Sequence, residues 1–422
     1  MRLLHTSDWH LGRSFHGVDM LSAQERALDG LVGVVRAEQV AAVIVAGDLY
    51  DRALPPVDAV ELWGDTLDRL CDAGAQVIVI SGNHDSARRL GGGGARQLAR
   101  AGVHIRTDVA RVAEPVLLED DHDEVAIYAV PYLEPDVVRS LLAPPVAARS
   151  RRPAASVASA TPTLFDDAQD AVLPPAAVSS AVSGLRTHAQ VMAAAVSRCR
   201  DDLATRTSRG VVVAHAFVSG GQECDSEREL TVGGAARVPL GAFDGFDYVA
   251  LGHLHGRQTL GNGAVRYAGS PLAYSFSEER HVKGAWLVEI TSTGLGPVEP
   301  VDTPVPRRLA RLRGTMDELL GSSAYDEVED CFLSVTLLDT ACPVGAMARL
   351  QQRFPHCVEL SWQPTGGLVA SEGSYADRVA QPDDLAVLTE FVRHVRNTDV
   401  TDAERIELVA ALEAGRLAAL ET

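Results

Sequence analysis

Ala42-Val43-Ile44-Val45-Ala46-Gly47-Asp48 is a run of small and β-branched apolar residues that leads into a glycine and a carboxylate. Such a run reads as a strand buried on both faces, and the glycine lets the chain turn tightly enough to present Asp48 at the strand's carboxyl end. The same order recurs outward from it. Arg2 to Thr6 leads into Ser7-Asp8-Trp9-His10, and Gln76 to Ile80 into Gly82-Asn83-His84-Asp85. Farther on, Val211 to Ala214 leads into His215, and Tyr248 to Leu251 into Gly252-His253-Leu254-His255. Helices separate the early strands: Leu28, Leu31, Val34 and Val35 follow the capping-box pattern Ser22-Ala23-Gln24-Glu25 at helical spacing. Pro56 to Ala73 is a second helix, with proline near its start and Gly74 just past its end. This alternation predicts an α/β core whose motifs sit at the carboxyl ends of strands, where open α/β sheets place their ligands.

The 422 residues exceed one ordinary core, so a large first domain plus one or two smaller units is expected. No run of eighteen or more apolar residues could span a bilayer, and no membrane partner is expected. The first motif starts so early that no room is left for a signal peptide, which predicts a cytoplasmic protein. Cys71, Cys199, Cys224, Cys331, Cys342 and Cys357 are scattered without a CxxC spacing and read as buried or idle thiols. With 38 Lys plus Arg against 57 Asp plus Glu, the net charge of -19 has the wrong sign for holding a polyanion through the overall field. A nucleic-acid substrate would need a local, metal-assisted contact or a basic partner.

From 143 to 183 the composition turns to Pro, Ala and Ser with few large apolar residues, and reads as a disordered insertion in a first domain spanning 1–290. Thr187 to Leu203 then reads as a helix. Phe332 to Leu338, Val344 to Phe354 and Cys357 to Trp362 read as strand, helix and strand, a small α/β cap within 291–380. Asp384 to Arg396 and Asp402 to Leu420 form a helical hairpin in 381–422, its second helix opening on a capping box from Thr401 to Glu404. Leu385, Leu388, Phe391, Val392 and Val395 fall on one side of the first helix, to dock on the domain or on a partner. No internal repeat is present.

Asp8, His10, Asp48, Asn83, His215, His253 and His255 offer carboxylate, amide and imidazole donors suited to a pair of hard or borderline divalent ions. Two such ions clamp the attacking and leaving oxygens of a phosphoryl displacement. One of these histidines alone would more often be structural. All of them together, each at a strand end beside a small residue, form a ligand set.

By position, this set resembles that of the calcineurin-like metallophosphoesterase superfamily over about residues 1 to 290, leaving out the insertion. The resemblance implies a two-layer β-sandwich flanked by helices, an α/β fold that some schemes class as α+β. It also implies that Asp8, His10 and His255 bind one ion and Asn83, His215 and His253 the other, with Asp48 bridging. His84 would protonate the leaving oxygen, with Asp51 or Asp85 orienting its ring, and the nucleophile would be a water activated by the ions. Arg52, directly after Asp51, matches the arginine with which phosphatase members hold phosphate.

A narrower likeness rests on three phrases: His5-Thr6-Ser7-Asp8-Trp9-His10-Leu11-Gly12, Phe246 through His255, and Tyr267-Ala268-Gly269-Ser270-Pro271-Leu272 with Ser275-Phe276 and Lys283-Gly284. They look like the SbcD nucleases, the bacterial form of the double-strand-break repair nuclease. That resemblance implies a manganese-dependent exonuclease on double-stranded DNA and endonuclease on hairpin DNA, acting in repair, recombination and replication. It further implies a homodimer within a heterotetramer, near the nucleoid, whose C-terminal hairpin grips the coiled coil of an SbcC-type ATPase. A partner carrying the DNA-binding surface would account for the acidic balance. The rival readings are a stand-alone metallophosphatase or phosphodiesterase on a small substrate, and a scaffold with an idle site. His16 lies in a loop close to the first motif and could touch a DNA backbone.

Overall fold

Leu3 and Leu4 are both fully buried, although they point to opposite faces of β1 (Arg2–Thr6). A strand covered on both sides needs a layer on each, and the computed structural model shows what those layers are. It describes residues 1–92, 94–142, 185–227, 237–364, 384–396 and 399–420, so the 143–183 insertion lies outside the described residues. Two compact units result, Met1–Pro306 and Arg307–Thr422.

In the first unit β1 is followed by a small hairpin, β2 (Ser14–Phe15) and β3 (Val18–Asp19), and by a helix, Leu21–Ala37. Next come β4 (Ala42–Val45), helix Val57–Asp72, β5 (Gln76–Ile80) and β6 (Val103–Arg106). The pair β7 (Val116–Asp120) and β8 (Asp123–Val130) precedes helices Pro135–Leu142 and His188–Leu203. The remaining strands are β9 (Arg209–His215), β10 (Tyr248–Gly252), β11 (Gln258–Leu260), β12 (Val265–Tyr267), β13 (Gly284–Thr291) and β14 (Gly294–Asp302).

These strands form two six-stranded sheets, ordered β14-β13-β1-β4-β5-β6 and β11-β12-β10-β9-β8-β7. In the first, β1, β4, β5 and β6 run parallel, with Leu3 opposite Ala42 and Ala42 opposite Gln76. In the second, β8, β9, β10 and β12 run parallel, with Tyr248 opposite Val211.

Leu3, Ile44, Ile78 and Ile80 from one sheet meet Ile127, Val211, Val213 and Ala250 from the other. On the outer face of the first sheet, Leu4, Val43 and Val77 meet Leu28, Leu31 and Trp63 of its helices. Tyr128, Val212 and Val249 likewise meet Val191, Met192 and Val196 on the outer face of the second. The fold is therefore a mixed α/β sandwich of two sheets flanked by helices, not a single open sheet. A fully buried strand has the same sequence whether helices or a second sheet cover it, so strand runs alone do not separate the two arrangements. Truncating a core side chain such as Leu4 to alanine costs about 2–5 kcal/mol.

The capping box expected at Ser22 does not form. The helix begins at Leu21 with Met20 at its N-cap and no side-chain cap bond, while the Asp19 carboxylate accepts the Leu21 N–H at 2.9 Å. Gln24 is buried and used elsewhere. A capping box does form between Thr187 and Gln190, and Thr401 and Glu404 exchange the same pair of bonds.

The first unit continues past 290 because β14 pairs antiparallel with β13 at the sheet edge. In the second unit β15 (Leu309–Gly314), β16 (Phe332–Leu337) and β17 (Cys357–Trp362) form a parallel sheet. Leu319, Leu333, Leu350 and Phe354 contribute to its core. Helices Asp384–Arg396 and Asp402–Leu420 belong to the same unit. Among the described residues no helix is long and apolar enough to cross a membrane.

Candidate metal centre

The loops that follow β1, β4 and β10 are held in backbone conformations that side chains normally avoid. Asp8 (φ 53°), His10 (φ 46°), Asp48 (φ 49°) and His253 (φ 105°) all have positive φ, a strain of order 1–3 kcal/mol for each non-glycine residue. Main-chain bonds impose it: Asp8 N–H donates to the Gly47 carbonyl at 3.0 Å and His10 N–H to that of Asp48 at 3.0 Å. Two glycines allow the close approach. A Cβ on Gly82 would lie 2.1 Å from Asp48 Oδ1, and one on Gly252 would lie 1.9 Å from the Ala46 carbonyl oxygen.

All seven ligand candidates converge where the carboxyl ends of the two sheets meet. Ligating atoms of Asp8, His10 and His255 lie within 4.8 Å of one another, as do those of Asp8, Asp48 and His215. His10 Nε2 is 3.1 Å from His255 Nε2. Asn83 Oδ1 is 2.9 Å from His215 Nε2 and 3.1 Å from His253 Nδ1. Asp48 Oδ2 stands between the groups, 3.7 Å from His10 Nε2 and 3.5 Å from His215 Nε2.

The donor chemistry of this cluster calls for cations. His215 Nδ1 faces the Ala46 carbonyl at 2.9 Å and therefore carries its ring's hydrogen. Its Nε2 is then a bare lone pair aimed at two oxygen acceptors, Asn83 Oδ1 and Asp48 Oδ2. Asp8 and Asp48 are buried, and among the described residues neither has a Lys or Arg ion pair. Asp8 instead accepts the His253 N–H, 3.1 Å from each oxygen. Burial, and then the charge of Asp48, hold the Asp8 carboxyl well above the usual carboxylate range. Burial likewise pushes His10 and His253 well below the ordinary imidazole range, and His215 and His255 below it, which keeps these rings neutral as metal binding requires. The residues fit a pair of divalent ions.

His84 stands beside this set, its ring edge-on to His10 with centroids 4.7 Å apart. Its Nδ1 is 2.8 Å from the backbone carbonyl of Asp51, so the Asp51 main chain orients the ring, not a carboxylate. Asp85 is not the orienting group either. Its carboxylate accepts the N–H groups of Leu49 (3.1 Å), Tyr50 (3.0 Å) and Gly82 (2.9 Å), tying the second and third loops together. Burial and the Asp48 charge push Asp85 up to about 7. The Asp51 carboxylate faces His10 Nδ1 and Arg13 Nε, each at 3.7 Å. Arg52 is exposed on its loop. His16 is exposed at the turn of the β2–β3 hairpin, against the rings of Phe15 and Phe276 at 4.8 and 5.2 Å.

Several residues around the ligands had no motif to announce them. Gln24 donates to the His10 carbonyl (2.8 Å) and the Tyr274 hydroxyl (2.9 Å), and accepts from Gly12 N–H (3.1 Å). Arg13 lies over the Tyr274 ring and donates to the Ser226 carbonyl at 3.1 Å. Ser226, Glu227, Glu278 and Lys283 surround His255. Of these, Lys283 alone belonged to a phrase singled out in the sequence.

Three solved structures similar to the chain share little sequence identity with it. The chain is 12% identical to TT1561 of Thermus thermophilus, covering 71% of this chain and 98% of that one at a TM-score of 0.35. It is 13% identical to a dimetal phosphatase from Danio rerio, covering 72% and 99% at a TM-score of 0.38. For GAP50, the anchor in the inner membrane complex of Plasmodium, the values are 11% identity, 88% and 99% coverage, and a TM-score of 0.35. Residues 1–128, which include Asp8, His10, Asp48, Asn83 and His84, match the family described as calcineurin-like phosphoesterase, so the chain carries a calcineurin-like metallophosphoesterase domain.

Proposed function

We propose that this chain hydrolyses DNA phosphodiesters with two divalent ions, taken to be Mn²⁺, as the nuclease subunit of an SbcCD-type complex. One observation carries the hydrolytic reading: two buried carboxylates and several imidazole lone pairs converge with no cationic side chain paired to the carboxylates among the described residues. Asp8, His10 and His255 would hold one ion, Asn83, His215 and His253 the other, with Asp48 between them. Bound there, the ions supply positive charge that lowers the pKa of an attacking water and offsets the charge developing on the phosphoryl group.

The protein's own part is to orient and to move a proton. The Asp51 carbonyl takes the Nδ1–H of His84, so in the doubly protonated ring Nε2 is the nitrogen that delivers a proton to the leaving oxygen, and the ring is left neutral with its hydrogen on Nδ1. Asp85 keeps the His84 loop in register with the Asp48 loop through its three N–H contacts.

Support for DNA over a small phosphomonoester comes from the phrases of the SbcD resemblance. Ser270 and Lys283, both from the third of them, are buried behind His255. Arg52, the residue that would favour a monoesterase, is exposed. Support for a protein partner is that the terminal helices expose Phe391, Ile406 and Val409.

The test is to incubate the Mn²⁺-loaded chain with end-labelled duplex and hairpin DNA, with and without an SbcC-type ATPase and ATP, beside p-nitrophenyl phosphate. DNA cleavage that needs Mn²⁺ and rises with the partner is expected. Monoester turnover without DNA cleavage would overturn the nuclease reading and leave a metallophosphatase.

A further inference from the structure

The two ligand clusters are supported from behind in different ways. His215 rests on main chain, through the Ala46 carbonyl. His255 rests on ionisable side chains. Its Nδ1 is 2.7 Å from Ser226 Oγ, and the Ser226 hydroxyl donates to Glu278 Oε1 at 2.6 Å. Glu278 pairs with Lys283, and Lys283 Nζ donates back to the carbonyl of His255 itself at 2.8 Å and to Ser270 Oγ at 3.0 Å. The chain of bonds closes on the residue where it began. Glu278 and Lys283 are 1% and 3% exposed, so neither charge has water as an alternative partner. Glu278 also accepts the Tyr274 N–H at 2.9 Å, and the Tyr274 hydroxyl donates to the Trp9 carbonyl at 2.6 Å, between the ligand candidates Asp8 and His10.

This arrangement selects a tautomer. Because the Ser226 hydrogen is committed to Glu278, Ser226 Oγ can only accept from Nδ1, which leaves Nε2 of His255 as the lone pair facing His10. Without that commitment the hydroxyl could donate to Nδ1 and favour the ring form whose Nε2 carries hydrogen and cannot ligate.

We propose that Glu278, acting through Ser226 and neutralised by Lys283, is a positioning residue that sets the ion affinity of the Asp8–His10–His255 cluster alone, leaving the Asn83–His215–His253 cluster unaffected. The proposal rests on the two-ion reading above. Outer-shell partners of metal-bound histidine typically change affinity by about 10- to 100-fold, so one of the two ions should weaken by that factor.

The experiment is a Mn²⁺ titration of the full chain by calorimetry, with electron paramagnetic resonance following the exchange-coupled signal of a paired site. Wild type should take two ions and show coupling. Ser226→Ala and Glu278→Gln should keep one tight ion, weaken the other by about 10- to 100-fold and lose coupling at low Mn²⁺. Ser226→Thr, which keeps the hydroxyl, should restore it. Ser226→Ala removes only that hydroxyl and carries the test should Glu278→Gln unfold around an unpaired Lys283. Two ions bound with wild-type affinity in Ser226→Ala, or both weakened equally, would overturn the assignment. A wild-type chain that binds no ion pair would overturn the two-ion reading itself.

Discussion

The strands that carry the ligands have two ends of opposite character. Near their amino ends, the Met1 ammonium lies 3.2 Å from Asp120, and Arg209 reaches the same carboxylate at 2.6 Å while donating to the carbonyls of Asp123 and Thr291. Each charge there has an opposite charge or a carbonyl to meet it. At the carboxyl ends of β1 and β4, Asp8 and Asp48 sit buried on strained backbone, facing imidazoles, without a Lys or Arg pair among the described residues. One end of the sandwich is matched within the protein, and the other presents donors that bound cations would match. Stability held at the first end offsets strain kept at the second.

That contrast can be broken in order of effect. Asp48→Asn should lower phosphoester hydrolysis by more than about 10³-fold, yet raise the melting temperature of the metal-free chain, because it removes a buried carboxylate that no Lys or Arg offsets among the described residues. A fall in that temperature would mean the carboxylates are matched by something in the protein. His84→Ala should cost about 10²- to 10⁴-fold in kcat while ion stoichiometry by calorimetry stays at the wild-type value. Mn²⁺ at a hundred times the Kd of each site should add about 2.7 kcal/mol per bound ion to stability in urea titrations, and a chelator should remove it.

At the opposite end, Asp120→Asn should destabilise by about 1.5 kcal/mol at pH 7, the usual scale for a hydrogen bond to a charged group, with no change in ion binding. Hydrogen bonding from Arg209 holds the Asp120 carboxyl well below the usual carboxylate range. A carboxyl depressed on folding contributes fully above its unfolded value, near about 4, and loses that contribution as pH falls toward its folded value. The gap between variant and wild type in urea midpoints should therefore shrink below about pH 4. A gap that stays constant with pH would assign the effect to shape rather than charge.

The ligand motifs were legible because each combines two local signals: a buried apolar strand run, and a polar residue of metal-binding type just where the run stops. What surrounds them was not. Ser226 and Glu278 are 52 residues apart and meet only once the loops are folded, so no spacing rule marks either one. Gln24 was read as part of a helix cap because Ser-x-x-Glu patterns compete for one local explanation, whereas its buried amide serves the loop of His10. The two-layer sandwich was expected from the family resemblance and is what the fold shows, but the strand runs alone did not carry it, since continuous apolar strands do not record what covers them. The boundary at 290 followed the last motif, but β14 extends the first unit to Pro306 because a sheet edge, not a ligand, closes it.

The order in which the strands enter the two sheets has one more consequence. Asp8, His10, Asp48 and Asn83 precede Leu142, and His215, His253 and His255 follow Leu185. Yet β7 and β8 from the earlier part join the second sheet, while β13 and β14 from the later part join the first. A chain severed between those two leucines would give two interlocking pieces, each lending a hairpin to the other's sheet and each holding an incomplete coordination sphere. Such pieces would make a complementation pair, in which capture of a metal ion would report that the halves have found each other.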